Sequence, residues 1–394
     1  QDASTYPAIF SFSKIAKENI RVKKITQKQH LNIESIYSNA SISVNYKLIS
    51  DVAWNFGGFN LMTHLDKNKI KWNKLSEYGK AYYGVVTGMD KAFIVTDEII
   101  KSKNLEKEII KPYAYKGEEV NRYETTKPSQ LTIYPYKKGE NGDSILLKEQ
   151  ELKSKYPNIY EYISNFRSEL EQRKDSRKLY ATGENWFRNV RQGNFNLIEA
   201  EKLQIRGIGK RGLAGSLSKD TCFSGANCPA IIINNTLNSY ACLAILNSTL
   251  ITYYLNSVCP KKLGGYTRYN TKNISLTPIV LFDKDSEKNV VQLVSHILEN
   301  NNQLVRLYNT TQRYIQSQFS IEKLTKKLQN WYELDFEEFI KELNKSIKKV
   351  GGEKLSKMDE MDWMEVFETK KKEAQALKSE IDKTDREIDQ MVYE

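Results

Sequence analysis

Between residues 185 and 275, 11 Lys and Arg stand against 3 acids, interleaved with Trp186, Phe187, Phe195, Tyr253, Tyr254, Tyr266 and Tyr269. That combination suits a polyanion, because cations displace condensed counterions from phosphates while rings stack or wedge against bases. The expected phosphate grips are Arg188, Arg191, Arg206, Lys210, Arg211, Lys261, Lys262 and Arg268. Two loops concentrate the chemistry. The run RGIGKRG satisfies G-x-G-x-x-G at Gly207, Gly209 and Gly212, but the following LAGSLSKD is turn-like, so it reads as a basic surface turn able to meet phosphate rather than as a dinucleotide site. The run GGYTRYNT follows Lys261 and Lys262. Gly264 and Gly265 make it a hinge, Tyr266 and Tyr269 offer rings and hydroxyls, and the planar fork of Arg268 suits a guanine edge or a phosphate. Two further segments join them. GVVTGMDKAF (84–93) supplies Gly88 for close backbone approach, Thr87 as a hydroxyl and Lys91 as a charge, and IKPYAYKGEEVNRY (110–123) supplies Arg122. Each segment would serve equally well as an ordinary turn, helix or loop.

Other chemistries have no support. His30, His64 and His296 are scattered, no H-E-x-x-H occurs, and neither a serine-nucleophile elbow nor a Walker loop is present. The acidic pairs Glu118/Glu119 and Glu337/Glu338 read as solvated faces. Cys222, Cys228, Cys242 and Cys259 contain no C-x-x-C pair, which indicates reduced, structural thiols. No catalytic apparatus, cofactor site or metal site is expected in this chain.

The elements that must position these groups are mixed. At ~150 residues per domain, 394 residues make two or three units, and 40% hydrophobic with 28% charged residues makes them globular. No apolar run reaches the ~20 residues of a membrane span, and the expected location is cytoplasmic. The net charge of +11 divides unevenly: residues 156–280 carry 16 basic and 8 acidic groups, residues 281–394 carry 19 and 23. Residues 5–12 read as a strand, 54–59 as a loop, 74–83 as a helix, 84–95 as strand, turn, strand, and 131–136 as a half-buried strand. A helical pattern covers 147–178 with an interruption near Pro157, and places Ile159, Tyr162, Ile163, Phe166 and Leu170 on one face. Residues 185–235 are β- and loop-rich, and 240–255 form one apolar helix followed by a short strand ending at Pro278. After Phe282 proline disappears. Val290, Val291, Val294, Ile297, Leu298, Leu304, Val305 and Tyr308 line one long helix, while Phe367, Ala374, Ile381 and Ile388 recur every seven residues on another, a half-filled heptad that favours two helices packed together. The expected fold class is α+β: a mixed, β- and loop-rich domain followed by a C-terminal region of long packed helices.

In their order and spacing, the segments TYPAIF, GVVTGMDKAF, KPYAYKG with Arg122-Tyr123, YPNIYEYI with Arg173, Trp186-Phe187, the Leu-Asn-Ser element at 246–248 and GGYTRYNT resemble the target-recognition region of type IIG (Eco57I-like) restriction-modification enzymes, adenine-specific DNA methyltransferases with a TaqI-like specificity domain. The resemblance implies that residues 1–75 are the edge of a preceding methyltransferase domain and a connector, 76–282 the target-recognition domain, and 283–394 a C-terminal helical region. It implies double-stranded DNA and an upstream methyltransferase domain of the same polypeptide as partners, and no membrane. The methyl donor S-adenosylmethionine, with Mg2+, is expected for the full-length enzyme and not for this chain, which lacks the Asn-Pro-Pro-Tyr loop for a flipped adenine. Asp90 stands where that family often carries asparagine. From the residues alone, an RNA- or single-strand-binding module and a helical scaffold protein remain alternatives.

Overall fold

The computed structural model describes residues 19–22, 42–45 and 61–394, apart from 126, 211–214 and 226. The expected strand at 5–12, the loop at 54–59, His30 and Arg211 lie outside the described residues. Helices dominate, and the sheets are small and open, so the α+β expectation holds.

Two four-stranded sheets build the middle of the chain. In the first, Gly215–Ser218, Lys202–Ile205, Ala230–Ile233 and Gly79–Tyr82 pair antiparallel in that order. In the second, Cys222–Phe223 runs parallel to Ile110–Ala114, which continues antiparallel through Gln130–Ile133 to Ile94–Val95. The expected helix over 74–83 is reduced to one turn, Leu75–Tyr78, because the next four residues become an edge strand on Ala230–Ile233. The stretch 84–95 also departs from strand, turn, strand: Asp90–Phe93 closes a helical turn before the strand Ile94–Val95.

The helical pattern of 147–178 resolves into Glu149–Lys155, Pro157–Ser164 and Arg167–Glu171. Pro157 occupies the first position of the second helix, where its missing N–H costs nothing, and the last residues of the range turn instead into the short hairpin 174–179. Ile159, Ile163 and Leu170 are buried with Trp186 and Phe187 in one core. The apolar stretch 240–255 is two helices, Ser239–Asn247 and Thr249–Val258, bent 66° apart. The hydroxyl of Ser248 explains the break: it accepts the Ile251 N–H as the N-cap of the second helix while bonding back to the Ile245 carbonyl. Among the described residues no single helix is long and apolar enough to cross a membrane.

Lys284–Phe319 and Lys357–Tyr393 are the two long helices. Asp283 caps the first, and a Ser356/Asp359 capping box starts the second. They pack on each other, with Val290, Val294, Ile297, Leu298 and Ile388 entering the core around the bent helix pair and Leu304, Ile315, Phe367 and Ala374 joining a second core with Trp331 and Trp363. The helical region is therefore fused to the rest through shared apolar burial.

Candidate nucleic-acid interface

Fifty-odd residues apart in sequence, the two basic loops meet in space. The strand Ile208–Gly209 pairs antiparallel with Thr267–Arg268, and the Tyr269 N–H donates to the Gly207 carbonyl at 2.9 Å. The second loop closes on itself through the Lys262 N–H to the Tyr266 carbonyl (2.7 Å) and the Lys261 ammonium to the Thr267 hydroxyl (2.7 Å). Gly264 and Gly265 both take the left-handed backbone (φ 75° and 77°) that this tight tip requires. Lys210 reaches across so that its ammonium stands 5.1 Å from the centre of the Tyr266 ring.

The paired loops form one wall of an open groove of about 930 Å³ that Lys116, Glu118, Arg206, Ile208, Lys210 and Tyr266 help to line. Lys116, Gly117 and Glu118, at the start of the short turn Gly117–Glu119, line it as well. Arg206 fastens that turn rather than facing outward, since its guanidinium donates to the Gly117 carbonyl (3.1 Å), the Val120 carbonyl (2.7 and 3.0 Å) and the Asn121 amide oxygen (3.0 Å). Lys116, Lys210, Lys262 and Arg268 are exposed, and among the described residues none of the four has an acid within ion-pair distance. Lys116 and Lys210 line the groove with the exposed Tyr266 ring, and Lys262 and Arg268 stand on the loop that carries that ring, so the surface can hold phosphates and offer a stacking face.

Several expected contact residues are occupied inside the fold. Tyr269 is buried at 1% exposure, its hydroxyl donates to the Asn256 amide oxygen, and burial pushes its pKa up to about 12, so it cannot stack on a base. Thr87 is buried and donates to Asp90 at 2.5 Å, and Asp90 also accepts from the Tyr115 hydroxyl: the acid at that position keeps a turn. Gly88 (φ 75°) is wedged where a Cβ would lie 2.3 Å from the Tyr180 hydroxyl. Lys91 pairs with Glu169, and Arg191 with Asp175 at 2.8 Å. Arg122 spans the Asn247 carbonyl (2.6 Å) and Asp385 (2.8 Å), joining the segment after Ile110–Ala114 to the last helix. Arg188 is half-buried, and its carbonyl accepts from Arg173. Of the aromatic set, Trp186, Phe187 and Tyr254 are also core residues and Phe195 is half-buried against Tyr134, leaving Tyr253 and Tyr266 exposed. Lys202, counted among the cations, is buried with its ammonium on the Ile198 and Ala200 carbonyls, and desolvation lowers its pKa to about 8.

Two contributors escaped the charge-pattern reading. Lys116 lies outside the basic block, and the Glu118/Glu119 pair divides: Glu119 accepts from the Ser129 N–H and hydroxyl, while Glu118 faces the groove. The buried Arg173 is a third structural centre. It donates to the carbonyls of Thr87 (2.7 Å), Leu170 (2.9 Å), Trp186 (2.9 Å) and Arg188 (2.8 Å), with its guanidinium 5.0 Å from the centre of the Tyr180 ring. The Leu-Asn-Ser element is a joint: the Asn247 side chain accepts the Gly215 N–H at 3.2 Å, and Asp389 accepts the Thr249 N–H at 2.7 Å.

For a dinucleotide, the glycine run lacks the needed frame, because Gly209 lies in a strand paired to another loop rather than between a strand and a helix. Among the described residues no group of three or more His, Cys, Asp and Glu side chains could hold a metal ion.

Residues 112–279 match the TaqI-like C-terminal specificity domain, and residues 283–392 match a domain of unknown function, DUF8810. The chain is similar to the type II restriction enzyme and methyltransferase RM.Eco57I of Escherichia coli, with 28% identity over 259 residues covering 58% of this chain and 25% of that protein. It is also similar to the type II methyltransferase M.MjaIV of Methanocaldococcus jannaschii, with 24% identity over 239 residues covering 57% of this chain and 73% of that protein. A solved structure of the type IIL restriction-modification enzyme MmeI in complex with DNA aligns over 86% of this chain and 40% of its own, at 14% identity and a TM-score of 0.45. The chain spans a quarter of the first of these relatives and about three-quarters of the second.

Proposed function

We infer that this chain, whose residues 112–279 belong to the family of TaqI-like C-terminal specificity domains, is the part of a type II restriction-modification enzyme that recognises double-stranded DNA by its sequence. The observation that carries this reading at the level of residues is the ladder between Ile208–Gly209 and Thr267–Arg268, which sets Lys210 and the exposed Tyr266 ring on one groove with Arg268 in the adjoining strand. Lys116, Lys210 and Lys262 hold phosphates, Arg268 reads a guanine edge or holds a phosphate, and Tyr266 stacks. The recognition unit is 76–282, and 283–394 braces it through shared core and the Arg122–Asp385 pair. The full enzyme methylates adenine and cleaves DNA through further domains, with S-adenosylmethionine and Mg2+ held there. No residue of this chain is assigned to either group, and its own work is to bind and orient the duplex.

Competition binding tests the reading. The chain should prefer duplex DNA over single-stranded DNA and RNA of the same sequence, and its affinity should fall steeply between 50 and 200 mM salt. Equal or tighter binding of the single strand would replace it with a single-strand module, for which Tyr266 and the same cations would serve.

A further inference from the structure

An acid on a phosphate-binding groove is a liability, since it repels the backbone that the neighbouring lysines attract. Glu118 is such an acid. It is exposed, it shares the groove with Lys116, Arg206 and Lys210, and among the described residues its carboxylate has neither an ion pair nor a hydrogen bond. The turn that carries it, by contrast, is held at the residues on either side. Arg206 fastens the carbonyls of Gly117 and Val120, Glu119 is tied to Ser129, and a Cβ on Gly117 would stand 3.1 Å from the Asn227 carbonyl. A held turn carrying a carboxylate with no partner among the described residues leaves that carboxylate open to a donor from outside the chain. In a DNA groove the donors facing a protein are the exocyclic amines, and a carboxylate accepts best from N4 of cytosine.

We propose that Glu118 is a specificity-determining residue that accepts a hydrogen bond from the N4 amine of one cytosine in the major groove of the target. The proposal rests on the DNA-recognition reading and refines it. Against guanine or thymine the carboxylate faces acceptors or a methyl group, and against adenine the N7 acceptor stands beside the one amine it could use, so one side chain rewards the correct site and penalises the rest.

Selection of the full chain against a pool of randomised DNA duplexes, followed by sequencing, tests this with Glu118→Ala, Glu118→Gln and, for contrast, Glu119→Gln. The wild type should select a motif containing an invariant C·G pair. Glu118→Ala should flatten that one position, losing roughly tenfold discrimination there, while tightening binding to non-selected duplex and steepening the salt slope by up to about 0.9. Glu118→Gln should move the preference at that position toward adenine, whose N6 and N7 suit an amide. Glu119→Gln should change the melting temperature and leave the motif alone. If the wild type selects a motif and both Glu118 variants select the same motif with unchanged weights, the proposal is overturned and DNA recognition stands. If Glu118→Ala loses all binding together with its melting transition, the residue is structural and the proposal fails. If the wild type selects no duplex motif, the recognition reading itself fails.

Discussion

The segment around Gly88 and the loop around Gly265 carry the same kind of residues, glycines in the left-handed region beside a threonine and a cation, yet the fold treats them in opposite ways. Around Gly88 every polar group is consumed internally: Thr87 by Asp90, Lys91 by Glu169, and the backbone by Arg173. Around Gly265 the cations point outward, and a Cβ added to Gly265 would meet nothing within 4 Å. Charge type and glycine spacing therefore do not separate frame from contact surface. What separates them is whether a partner of opposite polarity lies within reach on a neighbouring element.

The contrast is open to attack from both sides. The largest effect is expected at the frame: Arg173→Ala leaves four carbonyls without their donor and should cost roughly 3–5 kcal/mol of stability, measured by urea or thermal unfolding. Arg173→Lys should recover only part, because one ammonium cannot reach all four acceptors. On the contact side, Arg268→Ala should leave the melting temperature unchanged. It should cost roughly 1–3 kcal/mol on the cognate duplex with relaxed preference at one position if the residue reads a base; if it holds phosphate, a uniform loss is expected. Tyr266→Ala and Tyr269→Phe sharpen the distinction within one loop. The first should weaken binding by about 1–3 kcal/mol through lost stacking, whereas the second should change only stability, by about 0.5–1.5 kcal/mol from the lost bond to Asn256. The smallest signals are those of single exposed lysines. Lys210→Ala should reduce the salt slope by about 0.9, and Lys91→Ala should leave that slope intact while changing stability by under about 1 kcal/mol. A reduced slope for Lys91→Ala would place the Gly88 segment on the DNA after all.

Much of the architecture was legible because periodicity survives in the sequence. The two long helices and the break at Pro157 announce themselves by spacing or by proline, while the strand expected over 131–136 divides into Gln130–Ile133 and the start of Tyr136–Lys138, which pair with different partners. The bend at Ser248 did not, since a helix apolar on every face has no phase to lose, and a capping serine looks like any other inside such a run. Residues 79–82 form a strand because a partner at 230–233 overrides local helical pattern, and that partner is 150 residues away. The site was half legible for the same reason. Lys210, Arg268 and Tyr266 stand out by type, but that Tyr269, three residues from Tyr266, turns into the core depends on packing against Asn256. The two basic loops could be found separately, and their pairing could not.

That pairing is only two residues long on each strand, and it has a consequence for how such a protein changes over generations. A ladder this short tolerates no slip: inserting one residue in 260–270 moves Lys210 relative to Tyr266 as surely as inserting one in 206–211. The two segments are thus constrained as one unit: exchanging either alone with a relative should throw Lys210 and Tyr266 out of register, and exchanging both together should keep the ladder intact.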